Sequence, residues 1–111
     1  QPEMKNSAGE IRIVLVTIPC GEPAETLSKK AVEAKLAACI NVVPKVRSVY
    51  RWQGGIEEDD EALLIIKTTS LKLDELKSFI KDNHPYDVPE FIALSPEEVS
   101  KNYLDWLLSA L

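Results

Sequence analysis

The sequence predicts an α+β fold, an antiparallel sheet of four strands with two crossover helices and a terminal helix, on three observations. Runs of β-branched residues recur as strands, stretches with apolar residues three and four apart alternate with them, and proline or glycine punctuates the junctions. Read in order, these give β-α-β-β-α-β followed by a helix, the split βαβ or ferredoxin-like arrangement.

Residues 11–18 (IRIVLVTI) are rich in β-branched side chains and close on Pro19 and Gly21, which marks a buried strand. Ahead of them, residues 1–10 are polar and lack the basic and apolar regions of a signal peptide, so a flexible tail is expected before a single domain over 11–111. After the strand, Ala24, Leu27, Ala31, Ala34 and Ala38 recur in steps of three and four, predicting a helix whose alanine face lies close on a sheet.

Residues 39–43 and 46–52 read as strand, with Val46, Ser48, Tyr50 and Trp52 on one face and Arg47, Val49 and Arg51 on the other. Pro44 cannot donate to a ladder, so this strand belongs at a sheet edge or at a bulge. Residues 53–60 (QGGIEEDD) are expected to form the acidic tip of a hairpin that leads into a buried strand over 62–66. Leu73, Leu76, Phe79 and Ile80 keep helical spacing until Asn83-His84-Pro85, where proline stops the helix. Residues 91–94 predict the fourth strand. Ser95 as N-cap, Pro96 in the first turn and Glu98 completing a capping box then predict a last helix, with Val99, Tyr103, Trp106, Leu107 and Ala110 inward.

Right-handed crossovers place the hairpin beside the first strand and the crossover helices on one face of the sheet. The other face needs a cover, and the second strand outruns its partners. Association with other copies of the chain is therefore expected, with Tyr50 and Trp52 as interface anchors.

Composition narrows the function. With 45% apolar and 28% charged residues the chain sits near the average for globular domains, and a formal charge of -5 with dispersed Lys and Arg argues against nucleic acid as a partner. No apolar run approaches the ~20 residues that span a bilayer. Cys20 and Cys39 form no CxxC and have no companion histidine spacing, so neither a zinc module nor a thioredoxin-like motif is expected, and a reducing, cytoplasmic setting is. Catalysis is not expected: no glycine-rich phosphate loop follows the first strand, and the one histidine and two cysteines offer no nucleophile and base pair.

Five segments stand in an ordered series: KLAACINVVP at 35–44, SVYRWQGGI at 48–56, Lys67-Thr68, HPYDVPE at 84–90 and YLDW at 103–106. In them the chain resembles the CutA divalent-cation-tolerance family from about residue 11 onward. The resemblance implies a ferredoxin-like subunit in a tight homotrimer whose long second and third strands pair across subunits. It also implies tolerance of divalent metals, copper foremost, and a likeness in architecture to trimeric PII signalling proteins.

In the predicted topology the end of strand one, the hairpin tip and the end of the second helix share one edge of the sheet, which gathers Cys20, residues 57–60 and residues 84–90. Imidazole and thiolate suit copper, whereas carboxylates suit harder ions, so His84 and Cys20 are the candidate metal ligands. Trp52, Lys67, Tyr86 and Glu90 are the candidate cleft residues for a small ligand. Family members with a described copper site use a cysteine late in the first strand and two adjacent histidines before Pro-Tyr. The matching positions hold Val16, Asn83 and His84, so one ligand of three carries over and weak binding is implied.

Each candidate also has a structural reading. His84 can interact with the last carbonyls of its helix, residues 57–60 can form a solvated tip, and Asp87 and Glu90 can bond the backbone of their proline-rich turn. Lys67 reads as an interior salt-bridge partner or as an anion contact. The expected function is divalent-metal tolerance with weak binding of copper or another divalent cation, no obligatory cofactor, in a homotrimer. The alternative is a PII-like scaffold that binds a small ligand or a protein partner at clefts between subunits.

Overall fold

The computed structural model describes residues 10–111. The tail expected over 1–10 lies outside them except for Glu10, whose carbonyl accepts the Ser70 N–H at 2.6 Å. The order is β1 (Ile11–Ile18), α1 (Glu22–Glu33), β2 (Cys39–Trp52), β3 (Gly55–Thr69), α2 (Leu73–Asn83), β4 (Ile92–Leu94) and α3 (Lys101–Ser109), with a 3-10 turn, Ser70–Lys72, leading into α2.

The four strands make one sheet in the order β2-β3-β1-β4. β1 pairs antiparallel with β3 from Ile11↔Thr69 to Ile18↔Ala62, and with β4 from Ile13↔Leu94 to Leu15↔Ile92. Period-two alternation turns Val14, Val16, Ile18, Leu64 and Ile66 toward the crossover helices, where they meet Ala24, Leu27, Leu76 and Ile80 in the main core. Burial of the Ala24 and Ala31 methyls confirms the close approach expected of the alanine face.

That face ends sooner than its spacing predicts. Lys35 adopts φ 60, and the Leu36 N–H returns to the Ala31 carbonyl at 3.0 Å, a six-to-one closure that stops α1 at Glu33. Ala34 is consequently exposed, and Ala38 joins a second cluster with Ile11, Leu104 and Leu107.

The second cluster lies on the opposite face of the sheet, because Ile11 alternates with Val14 and Val16; α3 therefore covers one end of the face left open by α1 and α2. The capping box at Ser95 does not form. Residues 95–100 stay outside any helix or strand, with a bend at Glu97; Val99 packs on the second cluster, and Ser100 is the N-cap without a side-chain capping bond. Helix from Ser95 would roll Val99 out of that contact, and burial outweighs a cap. In α3 the inward residues are Leu104 and Leu107, with Tyr103 and Trp106 stacked outside at 5.5 Å between ring centroids.

Pro44 lies both on an edge strand and in a register shift between Val43 and Val46, so the two options left by its missing N–H are both realised. Beyond the shift β2 and β3 run on as a two-stranded arm past the end of β1, and the molecule measures 52 Å along one axis against 26 and 22 Å across. The acidic run is not the loop tip. Glu57 to Asp60 pair in the ladder with Tyr50 to Arg47, and the turn is Gln53-Gly54 alone, with φ 48 and 81, the both-positive geometry of a two-residue hairpin turn.

Candidate functional site

The base of the arm is where the chain crowds its chemistry. Pro85 disfavours the helical conformation in the residue before it, so α2 ends at Asn83 and His84 turns extended at φ -101, ψ 140. The ring then swings to β1 rather than to its own helix: Nε2 donates to the Thr17 carbonyl at 2.7 Å, and Nδ1 accepts the Tyr86 N–H at 3.1 Å. These two contacts suit the tautomer that carries its proton on Nε2. With 8% of its surface exposed, His84 is a buried brace between β1 and the loop. The expected contact with the carbonyls of its own helix is not made, because β1 offers a carbonyl within the core edge. Asn83 takes that role, with Nδ2 donating to the Phe79 carbonyl at 2.8 Å.

The loop carries Tyr86 across to the arm. Its ring tilts against His84 at 4.7 Å between centroids, and its hydroxyl donates to Glu61 Oε2 at 3.1 Å. Burial, then the hydrogen bond to the Glu61 carboxylate, pushes the Tyr86 phenol up from its ordinary pKa, with Asp59 and Cys20 adding charge nearby. Glu61 is itself buried. It stands where the acidic run meets the apolar strand, and no spacing in the sequence announces its burial beside Tyr86.

On the same face of the arm, the Tyr50 hydroxyl donates to Asp59, and that bond pushes its pKa up to about 12. The opposite face is balanced in charge: Arg47 reaches Asp60 at 2.9 Å and Glu58 at 3.0 Å, and Lys45 approaches Asp60 at 3.5 Å. Arg47 holds the Asp60 carboxyl below the usual range.

Of the candidate residues, Cys20, Tyr86 and the carboxylates of the arm base share one neighbourhood, and His84 borders it with its ring turned inward. Trp52 stands at the tip opposite Gly55, 59% exposed, and Tyr50 is on the arm between tip and base. Lys67 lies at the far end of β3, between Cys39 and Ile13, where its ammonium donates to the Asn41 amide oxygen. Neither Asp87 nor Glu90 makes a side-chain hydrogen bond among the described residues, so the turn is not braced by them. Among the described residues no three His, Cys, Asp or Glu side chains converge to hold a metal ion. No helix among them is long and apolar enough to cross a membrane.

The model of the CutA1 divalent ion tolerance protein matches residues 12–110. The chain belongs to that family. The Divalent-cation tolerance protein CutA of Thermus thermophilus is 50% identical over 95 residues, 86% of this chain and 92% of the relative. Protein CutA, chloroplastic, of Arabidopsis thaliana is 47% identical over 86% of this chain, which spans only 52% of that longer relative. Among solved structures, CutA1 from Oryza sativa superposes with a TM-score of 0.89 at 43% identity, covering 94% of this chain and 95% of that one. The periplasmic divalent cation tolerance protein CutA from Archaeoglobus fulgidus gives 0.86 at 35%, covering 90% and 97%. Chloroplastic and periplasmic names both occur, so CutA1 membership does not assign a compartment.

Proposed function

We propose that this CutA1-family chain is a non-catalytic divalent-cation tolerance protein that works as a homotrimer and engages copper or another divalent cation weakly. The carrying observation is the arm. β3 loses its β1 neighbour beyond Ala62 and β2 is the outer strand of the sheet, so both outer edges of residues 46–61 are unpaired, with Val49, Trp52 and Ile56 exposed along them. A long open edge invites uncontrolled pairing, and a closed ring of copies removes it. Three is the count that the family resemblance implies.

For a cation the donors do not form a ready site. Val16 is sealed in the core and offers no ligand, Asn83 is bonded to Phe79, and both ring nitrogens of His84 are engaged. Coordination must break one of those bonds, and Nδ1, with the longer contact of 3.1 Å, is the nitrogen to give way. Cys20, exposed and close enough to Tyr86 to act on its phenol, is the accessible thiol of this neighbourhood. Binding is therefore weak and exchangeable. Calorimetric titration of copper(II) into the parent, His84→Ala and Cys20→Ser proteins tests this. Weak binding is expected in the parent, largely lost in His84→Ala and little changed in Cys20→Ser. Tight binding in the parent, or binding indifferent to His84→Ala, overturns it.

A reducing, cytoplasmic setting fits two free cysteines held at opposite ends of the sheet. The second reading, a PII-like scaffold with a ligand or partner in clefts between subunits, draws on Lys67, which meets no carboxylate among the described residues. Native mass spectrometry with divalent ions and with nucleotides separates the two readings by stoichiometry.

A further inference from the structure

We propose that residues 84–91 are a strap that fixes the angle of the β2–β3 arm on the body of the molecule, and that this angle governs assembly. Two features meet at Ala62. It is the last residue of β3 to pair with β1, through Ile18. On the other side of β3, Pro44 and Lys45 stand between the Val43↔Leu63 and Val46↔Glu61 pairs, where β3 supplies Ala62 alone. A bulge of this kind bends its strand and sharpens the local twist. The arm therefore leaves the body where one neighbour ends and the other is interrupted, as a two-stranded ribbon, the form of sheet that twists most and is least stable by itself.

At the next residue outward, Glu61, the Tyr86 hydroxyl ties the arm to the body at 3.1 Å. Among the described residues the other side-chain bonds of the arm stay within β2 and β3: Arg47 to Asp60 and Glu58, Lys45 to Asp60, and Tyr50 to Asp59. The segment that carries Tyr86 is anchored at both ends. His84 is bonded to the Thr17 carbonyl and holds the Tyr86 N–H, while Phe91 packs on the main core and Ile92 pairs with Leu15. Between those anchors Pro85 and Pro89 fix φ, so the segment has little slack. Glu61 is buried, and losing the phenol would leave its carboxylate short of a donor away from water.

The length of the arm makes a small play at its base matter. From Val46 to Trp52 the ribbon runs about 20 Å, so a swing of about 10° at Ala62 carries the tip about 3.5 Å, most of the roughly 4.8 Å between neighbouring strands. A tip displaced that far loses its place against a neighbouring copy, and an angle set in advance removes that cost before copies meet. The consequence for assembly rests on the homotrimer reading. The strap itself does not, and neither involves a cation.

The test measures arm orientation by amide residual dipolar couplings of the full chain, and assembly by sedimentation of the same samples over a dilution series. In the parent, one alignment is expected to fit residues 46–60 together with the β1–β3 ladder. In Tyr86→Phe the arm couplings should depart from the alignment of the body, and the dissociation constant of the assembly should rise about tenfold or more, the scale of one hydrogen bond to a charged group. Glu61→Gln keeps an acceptor oxygen for the phenol and should retain the parent's arm orientation; Glu61→Leu keeps none, should repeat the effect of Tyr86→Phe, and decides the matter if that variant does not fold. Val14→Ala trims the core away from the strap, and should lower thermal stability without moving the arm. Arm and body that share one alignment in Tyr86→Phe overturn the proposal, as does an arm loosened equally by Val14→Ala. An arm that departs while assembly holds overturns the link to assembly. A parent that sediments as a monomer overturns the homotrimer reading, and the couplings then judge the strap by themselves.

Discussion

β3 is one strand in two environments. From Ala62 to Thr69 it pairs with β1, and from Leu63 to Lys67 with β2 as well, while Ala62, Leu64, Ile66 and Thr68 are fully buried. From Gly55 to Asp60 it has β2 alone, and every residue is exposed. The first half is held by what this chain buries. The second is held by its turn, by cross-strand ion pairs and, on the reading above, by other copies.

The sharpest way to break that contrast is to delete equal bulk from each half. Ile66→Ala removes a fully buried side chain and should cost about 2–5 kcal/mol in urea unfolding, whereas the same deletion on the arm, Ile56→Ala, should change it by less than about 0.5 kcal/mol. Equal losses would mean that the arm is as tightly packed as the core. Next in size, Trp52→Ala should weaken assembly by about 2 kcal/mol or more, as expected of an aromatic anchor, and sedimentation across a dilution series would show it. A mass distribution identical to the parent's would move the anchor elsewhere.

The junction between the halves is tested by Tyr86→Phe. It strips the buried Glu61 carboxylate of its donor and should cost about 1–3 kcal/mol in thermal unfolding, an effect much reduced when Glu61 is already alanine. Additive losses would show that the two side chains act separately. The smallest effects belong to the exposed arm charges. The Asp60 pKa is lowered by Arg47, so the pair's support is present above the ordinary carboxylate range and fades as pH falls through the lowered value. The Tyr50 phenol is raised to about 12 by Asp59, so that support is complete below its ordinary value of 10.0 and is lost on rising toward 12. Ultraviolet titration should find Tyr50 ionising earlier in Asp59→Asn; an unchanged curve would refute the bond.

Most of the fold was legible because its signals are local. The β-branched run over 11–18, the proline in β2 and the proline after His84 each act through a few neighbouring atoms, and each of these three features stands where expected. The misses share a cause of another kind, since tertiary contacts decided them. Lys35 accepts a left-handed backbone that favours glycine, so no residue type announced the end of α1. Ser95-Pro96-Glu97-Glu98 has every mark of a helix start, yet Val99 is worth more in the second cluster. Residues 57–60 look like a loop by charge, but their ladder partners Arg47 and Tyr50 supply a cation and a hydroxyl. At the site, the neighbourhood of Cys20 with Tyr86 followed from topology. The inward brace at His84 depended on Thr17, sixty-seven residues away, and no spacing in the sequence announces it.

The two-residue turn at Gln53-Gly54 makes the reach of the arm a stepped quantity. Facing in a ladder repeats every second residue, and both strands are counted outward from the fixed shift at Val43 and Val46. Adding one residue to each strand lengthens the arm by about 3.4 Å and turns the tip indole to the opposite face; two on each restore it, about 7 Å further out. An arm of altered length can present its tip to the same neighbour only at every second increment, so a graded series of insertions at the tip should alternate between assemblies that close and assemblies that do not.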